Sequence, residues 1–299
     1  MRTVYLGTSD FAAGVLERLA ASPHRPELVV TRPDRPRGRG RRMTPPPAAV
    51  AANALGIEVD QPASVNDADA RARIAQAAPD VVVVCAFGAL IKEELLAAHH
   101  ILNVHPSLLP RWRGAAPIER AIIAGDSITG VSIMELTAGL DSGPVCLEQS
   151  EPIEPEDTYG TLAQRLQRIG GELLVRALDE SPPCAQQDDA RATYADKITA
   201  ADRELDPGRP AIELERIVRA LTPHIGAYVT LSDGTALGVR EARVASPPGE
   251  TAQTIAPGTV SLHGPLPVLA TADGTLELVV VQPPGKRPMP GEDYLRGRR

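Results

Sequence analysis

Aromatic residues, cysteine and lysine are scarce in this sequence of 299 residues. Phe, Trp and Tyr together make up 3% of it, there are three cysteines, and only three of the 31 basic residues are lysines. An odd number of cysteines without metal-type spacing predicts neither a disulfide framework nor a zinc site. Cys85 lies within an apolar run, where we expect a small core residue.

A hydrophobic run long enough to span a membrane is also missing. The longest apolar run without a charge, residues 81–91, has eleven residues, whereas a spanning helix needs about 20. The first residues do not have the pattern of a signal peptide. These features predict a cytoplasmic protein.

Glycine-rich phosphate-binding motifs are absent as well. Residues 7–11 after the first predicted strand read GTSDF and lack the glycine spacing that lets a backbone approach a pyrophosphate. Ser9 and Ser107 lack the context of a nucleophile elbow, and the neighbouring His99 and His100 have no further metal-ligand company. The sequence therefore predicts no dinucleotide cofactor and no metal.

The charge balance is acidic overall, but one segment is strongly basic. The formal net charge of −7 argues against a general nucleic-acid binder, which is usually basic. Residues 32–42 read RPDRPRGRGRR, with six arginines against one aspartate. Because lysine is rare throughout the chain, an arginine excess is not by itself a functional signal.

Strands and helices alternate through residue 180. The predicted strands cover residues 3–6, 28–31, 57–59, 80–88, 101–105, 131–136 and 145–150. The predicted helices cover residues 11–21, 48–55, 67–78, 93–98, 118–124 and 158–178. Residues 80–88, DVVVVCAFG, are typical of a central parallel strand buried on both faces. The alternation predicts an α/β domain with a doubly wound, mostly parallel, Rossmann-like sheet.

The pattern changes after a proline-rich polar stretch at residues 180–190. After a predicted helix at 211–220, five short strands are predicted at 227–231, 237–245, 258–262, 266–270 and 276–281. Such a succession predicts a small OB-like β-barrel. We therefore expect a catalytic domain at 1–183, a linker at 184–203 and a C-terminal barrel at 204–299.

Asn103 and His105 form the first candidate catalytic pair. Residues two apart in a strand project to the same face, and Pro106 places both near the carboxyl end of their strand, where open α/β sheets bind ligands. An amide donor beside an imidazole can stabilise an oxyanion and move a proton. Taken alone, the spacing favours the ordinary interpretation, two hydrogen-bonded polar residues at the end of a strand.

Asp141 follows the next strand within a loop that reads TAGLDSG. A carboxylate brought beside the imidazole could orient it or accept a proton, whereas turns in general also favour aspartate.

Residues 107–114, SLLPRWRG, expose large apolar and cationic groups. They are either a buried connector or the wall of a ligand site beside residues 87–89.

Taken together, these segments resemble the folate-dependent formyltransferases nearly from end to end. The resemblance is carried by VYLGTSDFA, TRPDRPRGRG, NVHPSLLPRWRGAAPIERAI, GLDSGPV, TYADKIT and QPPGKRPM. The stretch RWRGAAPI and the C-terminal barrel are similar to the members that act on tRNA. The resemblance implies transfer of a formyl group from 10-formyltetrahydrofolate, as co-substrate, to the α-amino group of methionyl initiator tRNA.

The resemblance also implies residue roles. Asn103 and His105 would polarise the formyl oxygen, and Asp141 would act with His105 in removing the proton of the attacking amine. Folate-binding residues would be Phe87, Gly88, Ala89, Ser107, Leu108, Leu109 and Pro110. Residues that contact the tRNA acceptor stem would be Arg39, Arg41 and Arg42. No metal is implied, and we expect a monomer.

Two alternatives differ in substrate or in class. The chain could be another folate-dependent formyltransferase, which acts on an amino sugar or a small amine. It could also be a non-enzymatic module that binds tRNA or folate. The first predicts product on a small amine and none on methionyl-tRNA, and the second predicts that changes at His105 and Asp141 leave activity at background.

Overall fold

The computed structural model describes residues 1–37, 40–245, 258–262 and 264–297 of the chain. These residues form two compact units. Unit 1 comprises Met1–Pro117, Ile128–Pro152 and Ala163–Ala195. Unit 2 comprises Ile118–Ser127, Ile153–Leu162 and Asp196–Arg299.

The first 195 residues form eleven of the described strands and six helices. The strands are β1 Thr3–Gly7, β2 Pro26–Val30, β3 Arg35–Arg37, β4 Arg42–Thr44, β5 Glu58–Asp60, β6 Val81–Cys85, β7 Ile101–His105, β8 Arg113–Gly114, β9 Ile128–Glu135, β10 Val145–Pro152 and β11 Tyr194–Ala195. The helices are α1 Asp10–Ala20, α2 Pro47–Ala54, α3 Ala68–Gln76, α4 Glu93–Ala98, α5 Pro117–Ala124 and α6 Tyr159–Glu180. A single 3-10 turn, Asp189–Arg191, precedes β11.

Unit 1 is built on a seven-stranded sheet in the order β10-β9-β7-β6-β1-β2-β5. The pairs from β5 to β7 are parallel, and β9 and β10 are antiparallel additions at one edge. This mostly parallel order confirms the predicted α/β class. The strand that was expected to be central, β6, is buried along its whole length, because its valines face helices and side chains on both sides of the sheet.

Local sequence explains how the first α/β turn forms. Ser9 precedes α1 in an extended conformation, and its hydroxyl accepts a hydrogen bond from the Ala12 N–H at 3.3 Å. The cap satisfies one of the unpaired donors at the helix start. Phe11, Val15 and Leu16 then face the core. This turn lies at the carboxyl end of β1, on the same edge of the sheet as the ends of β6 and β7.

The basic segment contains the two strands of a hairpin, β3 and β4. β3 and β4 pair antiparallel, with Arg35 opposite Thr44 and Pro36 opposite Met43. Arg41 adopts a left-handed backbone conformation with φ of 44°. The pattern of residues could not predict these strands because neither strand has the apolar alternation of a half-buried sheet.

Unit 2 contains an antiparallel sheet packed against a helix. Its elements are α7 Ala211–Leu221, β12 Ala227–Thr230, β13 Ala236–Val244, β14 Val260–Ser261, β15 Val268–Ala270, β16 Thr275–Gln282, β17 Met289–Pro290 and α8 Gly291–Arg296, preceded by a 3-10 turn at Ala201–Arg203. The strands run in the order β12-β13-β16-β15-β14, and β17 pairs with β16. This antiparallel half-barrel confirms the predicted small β domain.

The core of unit 2 lies between α7 and the concave face of the sheet. Leu214 and Leu221 of α7 pack with Leu237, Val239 and Leu278, all of which are buried. The alternation of inward apolar and outward polar residues along β13 and β16 explains why the sequence predicted both strands. The short α8 was not predicted.

The cysteines depart from expectation in one respect. Cys146 and Cys184 form a disulfide across 38 residues of sequence, whereas Cys85 is free and buried as predicted. The pair forms because Val145 and Ala185 exchange two backbone hydrogen bonds of 2.8 Å, which places their neighbours side by side. The prediction of no disulfide is therefore wrong at this pair, since cysteine count and spacing carry no information about such a contact.

Candidate active site

Strand β7 carries two of the predicted catalytic residues to the centre of the sheet. Asn103 lies opposite Met134 of β9, and His105 lies opposite Ser132. Asn103 is 7% exposed and His105 is 3% exposed. Both polar side chains are therefore held in a largely dry environment at the carboxyl end of a strand, where they need hydrogen-bond partners.

A backbone carbonyl fixes the proton position on His105. Its Nε2 lies 2.9 Å from the carbonyl oxygen of Trp112. A carbonyl oxygen only accepts hydrogen bonds, so Nε2 carries the proton of the neutral imidazole. The other nitrogen, Nδ1, then has the lone pair and lies 3.7 Å from Asp141 Oδ2. Nδ1 is thus the nitrogen that can take up a proton.

The loop that carries Asp141 has an unusual backbone. Asp141 has φ of 45°, a left-handed conformation that is uncommon outside glycine and that aspartate adopts more readily than most residues. Gly143 packs so closely that a Cβ there would overlap with the Glu135 carbonyl oxygen. The tight loop explains why glycines flank the aspartate in the sequence.

The Asp141 carboxylate joins both residues of β7. Its Oδ1 lies 3.5 Å from Asn103 Nδ2, and its Oδ2 faces His105 and accepts the Gly114 N–H at 2.8 Å. The Asp141 side chain is 14% exposed, so one edge of the group reaches solvent. The structure therefore brings together the three side chains that the sequence predicted as catalytic. Their chemical roles remain a prediction.

Three partners of this group have no signal in the sequence. They are the Trp112 carbonyl, the Gly114 N–H and the Gln187 side chain, whose Nε2 donates to the carbonyl oxygens of Asp141 and Gly143. The first two are backbone groups, which no residue type reveals. Gln187 lies in the stretch that was read as a linker, and no pattern in the sequence points to it.

The predicted folate wall after β7 divides into buried and accessible residues. Ser107 is fully buried, and its hydroxyl donates to the Arg111 carbonyl at 2.6 Å. Leu109 is 7% exposed, and its N–H donates to Ser132 Oγ at 3.1 Å. Leu108 and Pro110 are half-buried. Within this stretch, Leu108 and Pro110 keep accessible surface, whereas Ser107 and Leu109 hold the loop in shape.

The predicted wall after β6 borders an open pocket of about 320 Å³. Phe87 is buried, whereas Gly88 and Ala89 are exposed. The Phe87 carbonyl accepts the Thr8 hydroxyl at 2.7 Å, which ties this turn to the one after β1. The pocket is lined by Thr8, Ser9, Arg32, Pro33, Arg35, Thr44, Pro46, Ala86, Phe87 and Gly88.

Two of the three predicted tRNA contacts can be located. Arg41 and Arg42 are exposed at the turn end of the β3–β4 hairpin, while Arg39 lies outside the described residues. At the base of the hairpin, the Arg32 guanidinium donates to the Gly88 carbonyl at 2.6 Å. This contact links the basic hairpin to the pocket beside β6.

The whole arrangement is suited to acyl transfer with an incoming nucleophile. An amide donor, an imidazole and a carboxylate converge without a serine or cysteine nucleophile in the group. Such a set can stabilise an oxyanion and shuttle a proton. Across the described ranges, no cluster of His, Cys, Asp or Glu is arranged to hold a metal ion, and no helix is long and apolar enough to cross a membrane.

Family models match the chain at both ends. The model described as formyl transferase covers residues 1–178. The model described as formyl transferase, C-terminal domain, covers residues 197–299.

Full-length relatives agree with these matches. The chain is 44% identical over 307 residues to a methionyl-tRNA formyltransferase from Halorhodospira halophila, with 100% of this chain and 96% of that one covered. It is 42% identical over 304 residues to a methionyl-tRNA formyltransferase from Jannaschia sp., with 100% and 97% covered.

Solved structures share the fold at low identity. HypX from Aquifex aeolicus in complex with tetrahydrofolic acid matches with a TM-score of 0.67 and 17% identity. That match covers 99% of this chain and 47% of HypX, so the chain spans about half the length of HypX. A methionyl-tRNA formyltransferase from Clostridium thermocellum matches with a TM-score of 0.62 and 14% identity, over 82% of this chain and 94% of that one.

The α/β sheet, the half-barrel and these matches define the class of protein: the chain belongs to the formyl transferase family. Within this family its full-length relatives include methionyl-tRNA formyltransferases at 44% and 42% identity.

Proposed function

We propose that the chain transfers a formyl group from 10-formyltetrahydrofolate to the α-amino group of methionyl initiator tRNA. The observation that carries the proposal is the convergence of Asn103, His105 and Asp141 in a chain whose full-length relatives bear that activity in their name. The nucleophile is the substrate amine, which fits a site that offers donors and proton acceptors and no nucleophilic side chain.

The proposed step is attack of the amine nitrogen on the formyl carbon. The electron pair of the C=O bond moves to oxygen, and the Asn103 Nδ2–H stabilises the resulting oxyanion, together with His105 once its Nδ1 has taken up the proton that the attacking nitrogen loses. Asp141, which faces Nδ1, acts with His105 in the removal of that proton. Collapse breaks the bond from carbon to N10 of the folate, which takes up the same proton from this pair and leaves as tetrahydrofolate.

The proposed folate contacts lie at the shared edge of β6 and β7. Gly88, Ala89, Leu108 and Pro110 offer accessible surface for the co-substrate. The buried Phe87, Ser107 and Leu109 would act by holding both turns in place. Neighbouring parallel strands bring these turns to the same edge, which supports a single binding crevice there.

The proposed tRNA contacts combine the basic hairpin with the C-terminal domain. Arg39, Arg41 and Arg42 would meet phosphates of the acceptor stem, and the domain at 204–299, after a linker at 184–203, would hold the flank of the tRNA. Exposed arginines at the end of a hairpin support this role, because phosphate contacts supply most of the affinity of nucleic-acid binding.

One assay tests the proposed function. Purified protein is incubated with labelled 10-formyltetrahydrofolate and, in separate reactions, with methionyl initiator tRNA, methionyl elongator tRNA, an amino-sugar nucleotide and a small amine. We expect label on the methionyl initiator tRNA. Product on an amino sugar or a small amine, with none on methionyl-tRNA, would overturn the proposal in favour of another formyltransferase.

We further propose that the protein acts as a monomer in the cytoplasm. Asn103, His105 and Asp141 all come from unit 1 of one chain, so a second copy is not needed to complete the group. Light scattering of the purified protein, with and without tRNA, measures the number of copies. Cell fractionation with an antibody against the chain tests the location.

A further inference from the structure

We infer that Gln187 is a positioning residue for the Asp141 carboxylate, an inference that rests on the function proposed above. Gln187 follows Asp141 by 46 residues and lies between α6 and β11. Its Nε2 lies 2.9 Å from the Asp141 carbonyl oxygen and 2.7 Å from the Gly143 carbonyl oxygen. The two N–H groups of the Gln187 amide thus donate hydrogen bonds to the backbone of the loop that carries the Asp141 carboxylate.

This loop needs such a support. A left-handed backbone, as at Asp141, is uncommon outside glycine, and such conformations persist only where surrounding contacts over-determine them. Gln187 supplies two of those contacts from outside the loop. If these two hydrogen bonds are lost, fewer contacts keep the Asp141 carboxylate at its distance of 3.7 Å from His105 Nδ1.

The orientation of the Gln187 amide is determined by Arg113. The Arg113 Nε–H donates to Gln187 Oε1 at 2.9 Å. A guanidinium only donates and a carbonyl only accepts. A flipped amide would place its N–H groups against the Arg113 Nε–H and its oxygen against the two carbonyl oxygens. The amide can therefore satisfy all three contacts in one orientation only.

Arg113 closes a ring of contacts around the aspartate. Its side chain is only 4% exposed, and its Nη2 also donates to Asp189 Oδ1 at 2.7 Å. The next residue, Gly114, donates its N–H to Asp141 Oδ2 at 2.8 Å. Asp141 is therefore held at two places. Arg113 orients the Gln187 amide that binds the Asp141 carbonyl oxygen, and Gly114 binds the Asp141 carboxylate directly.

The segment that carries Gln187 is anchored on both sides. Before it, Cys184 is bonded to Cys146 and Ala185 pairs with Val145. After it, β11 pairs in parallel with β8, with Ala195 opposite Gly114. A side chain held between two such anchors can position a loop with little freedom of its own, which is what a pre-organised site requires.

The test compares Gln187→Ala and Gln187→Glu with the wild type in the formylation assay. Glutamate keeps the size of the side chain and the contact with Arg113, but it would face two carbonyl oxygens with an acceptor. Misplacement of a catalytic group by about 1 Å costs up to about 100-fold in rate, so we expect kcat to fall about 10- to 100-fold in both variants. We expect KM for folate and for tRNA to stay within about twofold.

The neighbouring Gln186 provides the matched control. It is exposed, and Gln186→Ala and Gln186→Glu should keep the wild-type kcat. Rates are divided by the folded fraction from circular dichroism, so that loss of fold does not count as loss of kcat. The inference is overturned if Gln187→Glu keeps the wild-type kcat, or if only KM rises. If the wild type does not formylate methionyl-tRNA, the proposed function itself fails, whatever the variants do.

Discussion

At the scale of single residues, the Asp141 carboxylate is the group on which the other contacts converge. One oxygen faces Asn103, while the other accepts the Gly114 N–H and faces His105. Because His105 Nε2 is occupied by the Trp112 carbonyl, only Nδ1 can exchange a proton with this carboxylate. The site therefore depends on the charge of residue 141 as well as on its shape.

Asp141→Asn separates charge from shape. Asparagine keeps the size of the side chain and an oxygen for the Gly114 N–H, but it cannot accept the proton of the substrate amine. Loss of acid–base catalysis costs about 10²-fold or more, so we expect kcat for formyl transfer to methionyl-tRNA to fall by at least that factor. Single-turnover formylation with labelled folate measures the effect.

Two further variants complete this experiment. His105→Ala should show a fall of the same order, because it removes the nitrogen that faces the carboxylate. Asp69→Asn removes an exposed carboxylate on α3 of the same unit and should have the wild-type rate. A wild-type rate in Asp141→Asn would show that the aspartate only shapes the loop.

At the scale of elements, the disulfide joins β10 to the segment that follows α6. Cys146 and Cys184 are thereby withdrawn from thiol chemistry. Cys85 is the remaining thiol, and it lies fully buried at the end of β6. Burial raises the pKa of Cys85 to about 12, against a smaller lowering by the hydrogen bond with Tyr5. A thiol with so high a pKa forms almost no thiolate at neutral pH.

These observations predict a distinctive count of reactive thiols. The native protein should take up no alkylating reagent, the protein denatured without reductant should take up one equivalent, and the denatured and reduced protein three. Mass spectrometry after alkylation gives the count. Three equivalents without reductant would contradict the disulfide, and one equivalent in the native state would contradict the burial of Cys85.

The disulfide should also stabilise the fold. Closing a loop of this length restricts the unfolded chain, and loop-closure estimates give about 4 kcal/mol. We expect reductant to lower the free energy of unfolding by up to about that amount, as measured by urea denaturation. The Cys146→Ser/Cys184→Ser double variant should match the reduced wild type and should not respond to reductant.

An ion pair holds the segment of unit 2 that precedes α7. Asp202 accepts hydrogen bonds from Arg120 of α5 at 2.7 Å and from the backbone and hydroxyl of Thr199 at 2.8 and 2.7 Å. Burial disfavours the charged carboxylate, yet these hydrogen bonds outweigh it and lower the pKa of Asp202 from 3.8 to about 2. A depressed pKa of an acid stabilises the fold above the unfolded value, and this stabilisation is lost as the pH falls towards the folded value.

Asp202→Asn should therefore destabilise the protein in a pH-dependent way. At about pH 7 we expect a loss of about 1 kcal/mol in the free energy of unfolding, the upper range for a partly exposed ion pair. The difference from the wild type should begin to shrink below about pH 4 and continue to shrink towards about pH 2. Urea denaturation across this range measures it. A constant difference at every pH would show that the carboxylate charge contributes nothing.

At the scale of the whole molecule, the net charge of −7 conceals a local excess of arginine. The basic segment forms the β3–β4 hairpin, with Arg41 and Arg42 exposed at its turn end. A net-acidic chain can thus offer one cationic surface to a polyanion. The overall charge was too coarse a measure to exclude a nucleic-acid partner.

The Arg41→Ala/Arg42→Ala double variant tests this surface. If each arginine meets a phosphate, tRNA binding should weaken, and the slope of log K against log salt should flatten by about 0.9 per lost contact on duplex, or about 1.8 in all. Fluorescence titrations of tRNA at several salt concentrations give the slope. Arg168→Ala/Arg176→Ala on α6 changes the net charge equally and should leave the slope unchanged. An unchanged slope in the hairpin variant would remove these arginines from the interface.

The amino-acid sequence by itself determined the class of the fold, and its resemblance to the folate-dependent formyltransferases named the three central side chains. Alternation of buried valine-rich strands with amphipathic helices determines a mostly parallel sheet, and β7 and α4 agree with prediction at both ends. The Asn-x-His spacing places both residues on one face because side chains along a strand alternate between its two faces. These are local rules, and they need no knowledge of distant partners.

Tertiary structure alone decided how that group is held. The Trp112 carbonyl, the disulfide of Cys146 with Cys184, and the Gln187 amide act across long stretches of chain. Backbone groups have no sequence signature. A contact between a polar segment and a glycine-rich loop produces no periodic pattern in the sequence from which it could be predicted. The physical reason is the same in each case: hydrogen bonds and covalent links depend on which atoms the folded chain brings within a few ångströms, and local pattern does not encode that distance.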